Sequence, residues 1–389
     1  MEHSIDNGTL TVTLGKRIDS NNYAEFEREL FEICGAVSSE RIVLDAEKLE
    51  YISSAGLRVL MKLVKSRKSV TVINVSGDVY DIFDVTGFTE LMKVEKALRK
   101  LSAEGCEVIG AGGFGTVYRL TRDQILKVYK STSTLDDIRR GQELARRAFI
   151  LGLPTAIPFD IVKVGDKYGS VFELIDAQSA SKTVSQDPSR LDELVRQSVD
   201  LMKQLHSTEI KEGELSQVKD REKGNVVLLR DYLPEEICDR LYELLDSMPD
   251  SKTVTHGDLH FNNILIQNGE MIMIDLDTFA AGDPVFDFAG QFNLYHSFPD
   301  FDHDMTPRIV GVPYEMASKI WDLTLRYYLG DDYERLHRQV EFKAEFVGRF
   351  LVLCHFVVRR KHLIGSALWD HCINFVCENI QKVDSLTLF

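Results

Sequence analysis

The sequence predicts two units, an α/β sandwich in the first hundred residues and a second unit that holds most of the polar motifs. The chain has 389 residues, which is enough for two or three domains. Strand and helix patterns alternate up to about residue 100, and this alternation is typical of a mixed or largely parallel sheet covered by helices. A glycine-rich segment follows, and its flanks have the pattern of strands.

The composition excludes several classes of protein. A hydrophobic share of 44% and a charged share of 28% disfavour a disordered chain, and the six scattered cysteines form no zinc pattern. The polar start MEHSIDNG is no signal peptide, and no apolar run approaches the ~18 residues of a membrane span. The net charge of −15, from 46 basic and 61 acidic residues, disfavours a nucleic-acid partner. We expect a soluble, cytoplasmic protein without a nucleic-acid or membrane partner.

The elements of the first unit follow from hydrophobic periodicity. Alternating or continuous apolar runs predict strands, and apolar residues three or four apart predict helices. The predicted strands are Thr9–Leu14, Arg41–Ala46 and Val70–Val75, and the predicted helices are Asn21–Ile33, Ser54–Lys68 and Val79–Val85.

The first unit resembles a STAS domain, the fold of anti-sigma-factor antagonists. The resemblance rests on RIVLDAEKLEYISSAGLRVL and DIFDVTGFTELM, and it assigns residues 1–102 to this domain. It implies a signalling protein as partner. It also aligns Ser54 with the phosphorylatable serine of that family, although Ser53 stands where the family usually has aspartate and Ala55 follows.

Two interpretations of this serine pair stay open. A serine before an apolar helical run is a preferred N-cap, worth ~1 kcal/mol. The same position suits a regulatory phosphate on Ser54, because the free N–H groups and the dipole of a helix N-terminus stabilise an anion.

A glycine-rich loop opens the second unit. Gly110, Gly112, Gly113 and Gly115 lie in VIGAGGFGTVY, and glycines let a backbone approach phosphates closely. The same consensus occurs in dinucleotide-binding loops, but there a long helix follows. Here the strand Thr116–Arg119 follows, which predicts a hairpin that covers the phosphates of a nucleotide.

A lysine stands inside the next predicted strand. Lys127 lies in ILKVY, and a lysine in an apolar strand is unusual unless it meets an anion. We expect it to hold the α and β phosphates. The helix Thr134–Leu151 supplies its predicted partner, Glu143, with Asp136 and Asp137 as competing candidates.

The motif VTHGDLHFNNIL carries the predicted chemistry, together with MIMIDLD, whose first aspartate, Asp275, lies ten residues after the end of that motif. Phosphoryl transfer needs a carboxylate that faces the nucleophilic hydroxyl and oxygen ligands for magnesium. Asp258 is the predicted catalytic base, and Asn263 and Asp275 are the predicted metal ligands. All three follow short strands, so they can point into one cleft.

Residues 104–389 resemble the aminoglycoside phosphotransferase and choline kinase-like branch of the protein-kinase-like fold. HGDLHFNNIL matches the catalytic loop of that family, IDLDTF its metal-binding segment and GDPVFDFA the next element. The resemblance implies a two-lobed α+β fold, with a first lobe of about 104–175 and a second of about 176–389. It also implies ATP or GTP, Mg²⁺, and a catalytic loop braced by His256 and Asp287.

Three functions are weighed on this basis. The favoured one is transfer of a phosphoryl group to a hydroxyl of a small molecule, coupled to the regulatory STAS unit. A protein kinase is the second, but only seven residues separate Asp275 from Asp283 and no APE motif follows, which leaves little room for a peptide platform. The third is a nucleotide-binding scaffold with little or no activity. Such a scaffold would lack the strand lysine, the catalytic base or a metal ligand, and all of these are present in the sequence.

Overall fold

A computed structural model describes residues 1–6, 8–37, 41–67, 69–112 and 115–389, apart from the side chains of residues 299 and 300. The chain divides into two compact units, Met1–Leu101 and Ser102–Phe389. Each unit buries a hydrophobic cluster of its own. Among the described helices, none is both long enough and apolar enough to cross a membrane.

The first unit is a mixed sheet with helices. Its strands are β1 (His3–Asp6), β2 (Thr9–Thr13), β3 (Arg17–Ile18), β4 (Arg41–Asp45), β5 (Tyr51–Ile52), β6 (Val70–Val75), β7 (Lys93–Lys96) and β8 (Arg99–Lys100), and its helices are α1 (Tyr23–Ala36), α2 (Ser54–Ser66), α3 (Gly77–Val85) and α4 (Phe88–Leu91). The main sheet has the order β1-β2-β4-β6-β7, with β1 antiparallel to β2 and the other pairs parallel. The predicted α/β sandwich is therefore confirmed.

The second unit begins with antiparallel strands and one helix, as a kinase-like first lobe does. The elements are β9 (Val108–Ala111), β10 (Gly115–Arg119), β11 (Gln124–Tyr129), α5 (Leu135–Ile150), β12 (Pro158–Val164) and β13 (Lys167–Glu173). Hydrogen bonds join the strands in the order β12-β13-β11-β10-β9. The central strand is β11, the strand that carries the predicted phosphate-binding lysine.

The rest of the second unit is mainly helical. Its helices are α6 (Ala180–Gln186), α7 (Leu191–Ser207), α8 (Val218–Leu229), α9 (Glu235–Asp246), α10 (Val285–Phe292), α11 (Phe298–Phe301), α12 (Met305–Val310), α13 (Tyr314–Leu329), α14 (Tyr333–Arg359) and α15 (Ala367–Asn379). A π-helical turn, Asn293–Ser297, joins α10 to α11. Large apolar side chains such as Trp321, Phe288 and Phe350 fill the core between these helices.

Short strands position the polar motifs among these helices. They are β14 (Gln178–Ser179), β15 (Val254–Thr255), β16 (Ile264–Gln267), β17 (Glu270–Met273) and β18 (Ala280–Ala281). The order β14-β16-β17 forms one sheet, and β15 pairs with β18. The loop between β15 and β16 therefore lies beside the loop between β17 and β18, and these two loops carry the predicted catalytic and metal-binding residues. The predicted two-lobed α+β fold is confirmed.

Candidate active site

A cleft of about 470 Å³ lies in the second unit and brings together most of the predicted site residues. Its wall includes residues of the glycine-rich hairpin, strand β11, helix α5 and the β17–β18 loop. The predicted residues among its lining are Gly110, Gly112, Gly115, Lys127, Asn263 and Asp275.

The glycine-rich hairpin of β9 and β10 closes tightly, as predicted. The N–H of Gly112 donates to the carbonyl oxygen of Gly115 over 2.9 Å. A Cβ atom at Gly115 would lie 2.2 Å from the carbonyl oxygen of Val128, so a side chain there would separate β10 from β11. Gly113 lies outside the described residues. Close strand packing thus explains Gly115, and Gly110 and Gly112 line the cleft.

Lys127 reaches from the first lobe to the loop after β17. Its ammonium Nζ lies 2.8 Å from Asp275 Oδ1 and 3.6 Å from Asp277 Oδ2. Burial alone would lower the pKa of Lys127, but the two carboxylates outweigh burial and raise it above its ordinary value. The lysine therefore stays positively charged and can form an ion pair with a phosphate group.

The structure does not bring Glu143 to Lys127. The carboxylate of Glu143 is half-exposed and lies 3.1 Å from Arg147 Nε and 3.5 Å from an Arg146 nitrogen. The reason is the rotation of about 100° per residue in a helix. Gly141 and Ala145 take the face of α5 that lines the cleft, so Glu143 points away from it. The competing candidates are also paired elsewhere, Asp136 with Arg139 and Asp137 with Arg140.

Asp258 presents a partly exposed carboxylate beside this cleft. Its side chain is 51% exposed, and the Asn263 amide nitrogen donates to its carbonyl oxygen over 3.0 Å and lies 3.4 Å from its carboxylate. The surrounding protein replaces part of the water around the Asp258 carboxyl group and so disfavours its charged form. The Asp275 and Asp287 carboxylates add repulsion. Together they raise the pKa of Asp258 to about 7. Such a group can accept a proton near neutral pH.

His260 supports the same asparagine from the buried side. Its Nε2 lies 3.2 Å from the Asn263 amide nitrogen. Burial and the neighbouring His256 lower the pKa of His260 to about 4, so the ring is neutral and accepts this hydrogen bond. Because the amide nitrogen of Asn263 is engaged in this way, its amide oxygen is the atom left for a cation.

Asp275 adopts a backbone conformation that is rare for residues other than glycine. Its φ is +64°, a left-handed value that bends the chain sharply after β17. Just before this bend, the N–H of Ile274 donates to the Asn263 carbonyl oxygen over 3.0 Å. Burial would raise the pKa of Asp275, but Lys127 outweighs it and lowers the pKa. An ionised carboxylate and an amide oxygen are suitable Mg²⁺ ligands, since Mg²⁺ commonly takes one or two protein oxygens plus waters and phosphates. Among the described residues, no cluster of three or more His, Cys, Asp or Glu that could hold a metal occurs.

Asp287 at the start of α10 holds the catalytic loop by its backbone. The carboxylate is fully buried and accepts hydrogen bonds from the N–H of His256 over 3.0 Å and of Gly257 over 2.6 Å. Gly257 has φ +81°, and a Cβ atom there would lie 2.9 Å from Thr278. Burial would raise the pKa of Asp287, but its hydrogen bonds, first that of His206, lower it. A charged carboxylate therefore fixes the turn that precedes Asp258.

Two residues of this brace were missed by sequence reasoning. His206 Nε2 lies 3.0 Å from the Asp287 carboxylate, and its Nδ1 lies 2.8 Å from the hydroxyl of Tyr328. The available signal was a histidine on the buried face of α7, among apolar residues. Tyr295 was missed as well, and its hydroxyl accepts the Phe261 N–H over 2.9 Å.

Ser54 marks a second candidate site, in the first unit. It is the first residue of α2 and it is exposed. The preceding Ser53 is the N-cap, and its hydroxyl oxygen accepts the N–H of Gly56 over 3.4 Å. Capping thus belongs to Ser53, and the Ser54 hydroxyl is accessible.

Replacing Asp287 with asparagine should lower the free energy of unfolding by about 2–4 kcal/mol. The neutral amide cannot accept hydrogen bonds from His206, His256 and Gly257 together, so buried donors lose their partner. Chemical denaturation followed by tryptophan fluorescence measures this, because both tryptophans lie in the second unit. Asp239→Asn, at a half-exposed carboxylate, is the matched control. Equal unfolding midpoints for the two variants would contradict the bracing role.

Comparisons with known proteins identify a family for each of the two units. Residues 106–306 match the model of the phosphotransferase enzyme family (APH), and residues 1–101 match that of the STAS domain. BtrV of Bordetella bronchiseptica, named as an anti-sigma factor antagonist, is 30% identical over 100 residues, which are 25% of this chain and 85% of BtrV.

Solved structures of aminoglycoside phosphotransferases are similar to the chain at low identity. The ternary complex of APH(2″)-IIa with streptomycin and ATP is 19% identical and covers 70% of this chain and 93% of its own, with a TM-score of 0.48. APH(3″)-Id of Streptomyces rimosus with ADP and streptomycin is 15% identical and covers 65% and 92%, with a TM-score of 0.44.

The family match and the resemblance based on the motifs agree. The APH model alone covers just over half of the 389 residues, and it includes the glycine-rich hairpin, Lys127, Asp258 and Asp275. Both resemblances predicted from the sequence are thereby confirmed. The chain belongs to the APH phosphotransferase enzyme family and carries an N-terminal STAS domain.

Proposed function

We propose that this phosphotransferase moves the γ-phosphoryl group of ATP to a hydroxyl group of a small molecule. The observation that carries the proposal is the 2.8 Å contact between Lys127 and Asp275, which are 148 residues apart in sequence. This contact joins strand β11, whose lysine would face the nucleotide, to the loop after β17, which would hold the magnesium ion. ATP is the donor in this proposal, as it is for kinases in general.

Each residue of the site has a role in this reaction. Asp258 accepts the proton of the acceptor hydroxyl as the new oxygen–phosphorus bond forms and the bond to the β–γ bridging oxygen breaks, which releases ADP. Lys127 neutralises charge on the α and β phosphates. Asn263 and Asp275 would hold Mg²⁺, which supplies charge neutralisation and alignment of the phosphates when bound.

The segment after Asp275 favours a small molecule over a protein as acceptor. Ala280 and Ala281 in β18 pair with β15. Asp283 then accepts hydrogen bonds from the N–H groups of Val285 and Leu388, both over 2.9 Å. The segment is therefore short and tied to the core, and it offers no extended strand on which a peptide could dock.

Asp258→Asn should lower turnover by about 10²–10⁴-fold and leave the affinity for Mg·ATP nearly unchanged, because the carboxylate acts on the hydroxyl. Asp275→Ala should weaken Mg·ATP binding, and Lys127→Ala should raise the KM for ATP. Steady-state kinetics and calorimetric titration separate these effects, with Asp246→Asn on the surface as control. Full turnover by Asp258→Asn on the same acceptor would show that the assigned base is wrong.

We further propose that the STAS unit binds a signalling protein and that Ser54 is its regulatory phosphosite. The support is the exposed hydroxyl at the start of α2 and the similarity to BtrV. A phosphate there would add a charge of about −1.5 to −2 next to free N–H groups of the helix.

Coupling between the units predicts that Ser54→Asp changes phosphotransfer. We expect a change of about twofold or more in turnover or in nucleotide affinity, since the added charge mimics a phosphate in sign. Ser54→Ala should behave as the wild type and serves as the control. Identical kinetics of wild type, Ser54→Asp and Ser54→Ala would contradict a regulatory role.

A further inference from the structure

The geometry points to Asp277 as the positioning residue of Lys127, in the role that the sequence predicted for Glu143. We infer that its carboxylate keeps the ammonium aimed at the phosphates, and that Gly141 of α5 makes the room it needs. The inference deepens the proposed function and rests on it, because it concerns how the same site holds its nucleotide.

Lys127 has two carboxylate partners within the described chain, and they have different duties. Asp275 Oδ1 is the nearer one, at 2.8 Å, and Asp277 Oδ2 lies at 3.6 Å. Asp275 is also the carboxylate that would hold the cation. If Asp275 is committed to Mg²⁺, Asp277 is the carboxylate that remains for Lys127.

The ion pair is partly shielded from water. The Lys127 side chain is only 18% exposed and that of Asp277 is 40% exposed. Partial burial weakens screening, so a carboxylate at this distance can hold the ammonium in one orientation. A lysine without such a partner would lose side-chain freedom on each binding event.

Helix α5 is built to let Asp277 approach. A Cβ atom at Gly141 would lie 2.5 Å from Asp277 Oδ1, closer than unbonded atoms come. Any other residue at this position would push the carboxylate or the helix away. Helix α5 thus supports the lysine site because Gly141 has no side chain. Its glutamate, Glu143, pairs with Arg147 on the outer side of the helix.

The inference gives opposite expectations for nucleotide with and without metal. When Mg²⁺ is present, loss of the Asp277 charge leaves Lys127 without a partner, so binding weakens. When metal is absent, Asp275 still holds the lysine, and removing Asp277 only removes a negative charge near the phosphates. Binding of free nucleotide should then stay equal or become tighter.

The experiment is calorimetric titration of the full chain with ADP, once with Mg²⁺ and once with a chelator. Asp277→Asn should weaken binding of Mg·ADP on the order of tenfold, as loss of one charge-assisted contact does, and should not weaken binding of metal-free ADP. Two matched variants of α5, Glu143→Gln and Asp136→Asn, should bind both forms as the wild type does. A tenfold loss in Glu143→Gln with none in Asp277→Asn would overturn the inference.

A double-mutant cycle distinguishes lysine positioning from direct metal binding by Asp277. In a Lys127→Met background, Asp277→Asn should not weaken Mg·ADP binding any further. An equal loss in both backgrounds, with more Mg²⁺ needed for half-saturation, would overturn the inference in favour of a metal ligand.

A second pair of variants tests the packing at Gly141. Gly141→Ala should weaken Mg·ADP binding in the wild type and should be neutral in an Asp277→Ala background, where the carboxylate is gone. Thermal melting of each variant checks that it is folded. If the wild type itself binds no ADP, the proposed function fails; if the wild type binds and Asp277→Asn binds equally well in both conditions, this inference alone fails.

Discussion

The ion pair between Lys127 and Asp275 is the contact on which the organisation of the candidate active site depends. One partner lies on the central strand of the first lobe and the other on the loop after β17, and their side chains are 18% and 31% exposed. The contact places the strand lysine and the loop with the proposed metal ligand Asp275 on one cleft. The left-handed backbone of Asp275, at φ +64°, is the local strain that this arrangement requires.

Negative charge is in excess at the candidate site, so a cation would have to accompany any bound phosphate group. Asp258, Asp275 and Asp277 share the cleft region with one lysine. Desolvation by the surrounding protein, with repulsion from Asp275 and Asp287, raises the pKa of Asp258 to about 7, while Asp287 stays ionised because three donors point at it. The fold therefore keeps the buried carboxylate of Asp287 ionised and gives Asp258 a pKa near neutrality, as its proposed role as a base requires.

The features that could be predicted from the sequence are those whose signal lies within a short stretch of chain. The features that could not be predicted depend on tertiary packing. Periodicity and motif spacing placed the strands, the glycine-rich hairpin and Asp258, because each signal lies within a few residues. Glu143 was not brought to the lysine, since which face of α5 meets the cleft depends on the close approach of Gly141 to Asp277, a tertiary contact. His206 was missed for the same reason, because its role depends on a contact with Asp287, which is 81 residues away in sequence.

Transfer of label from γ-³²P-ATP is the measurement that tests the central claim most directly. The full chain is incubated with Mg²⁺ and a panel of hydroxyl-bearing metabolites, and in parallel with a protein extract, and the products are separated by size. The account predicts label on a small molecule with stoichiometric release of ADP, and none with Asp258→Asn. Label confined to protein, or ATP binding without transfer to any acceptor of a broad panel, would contradict it.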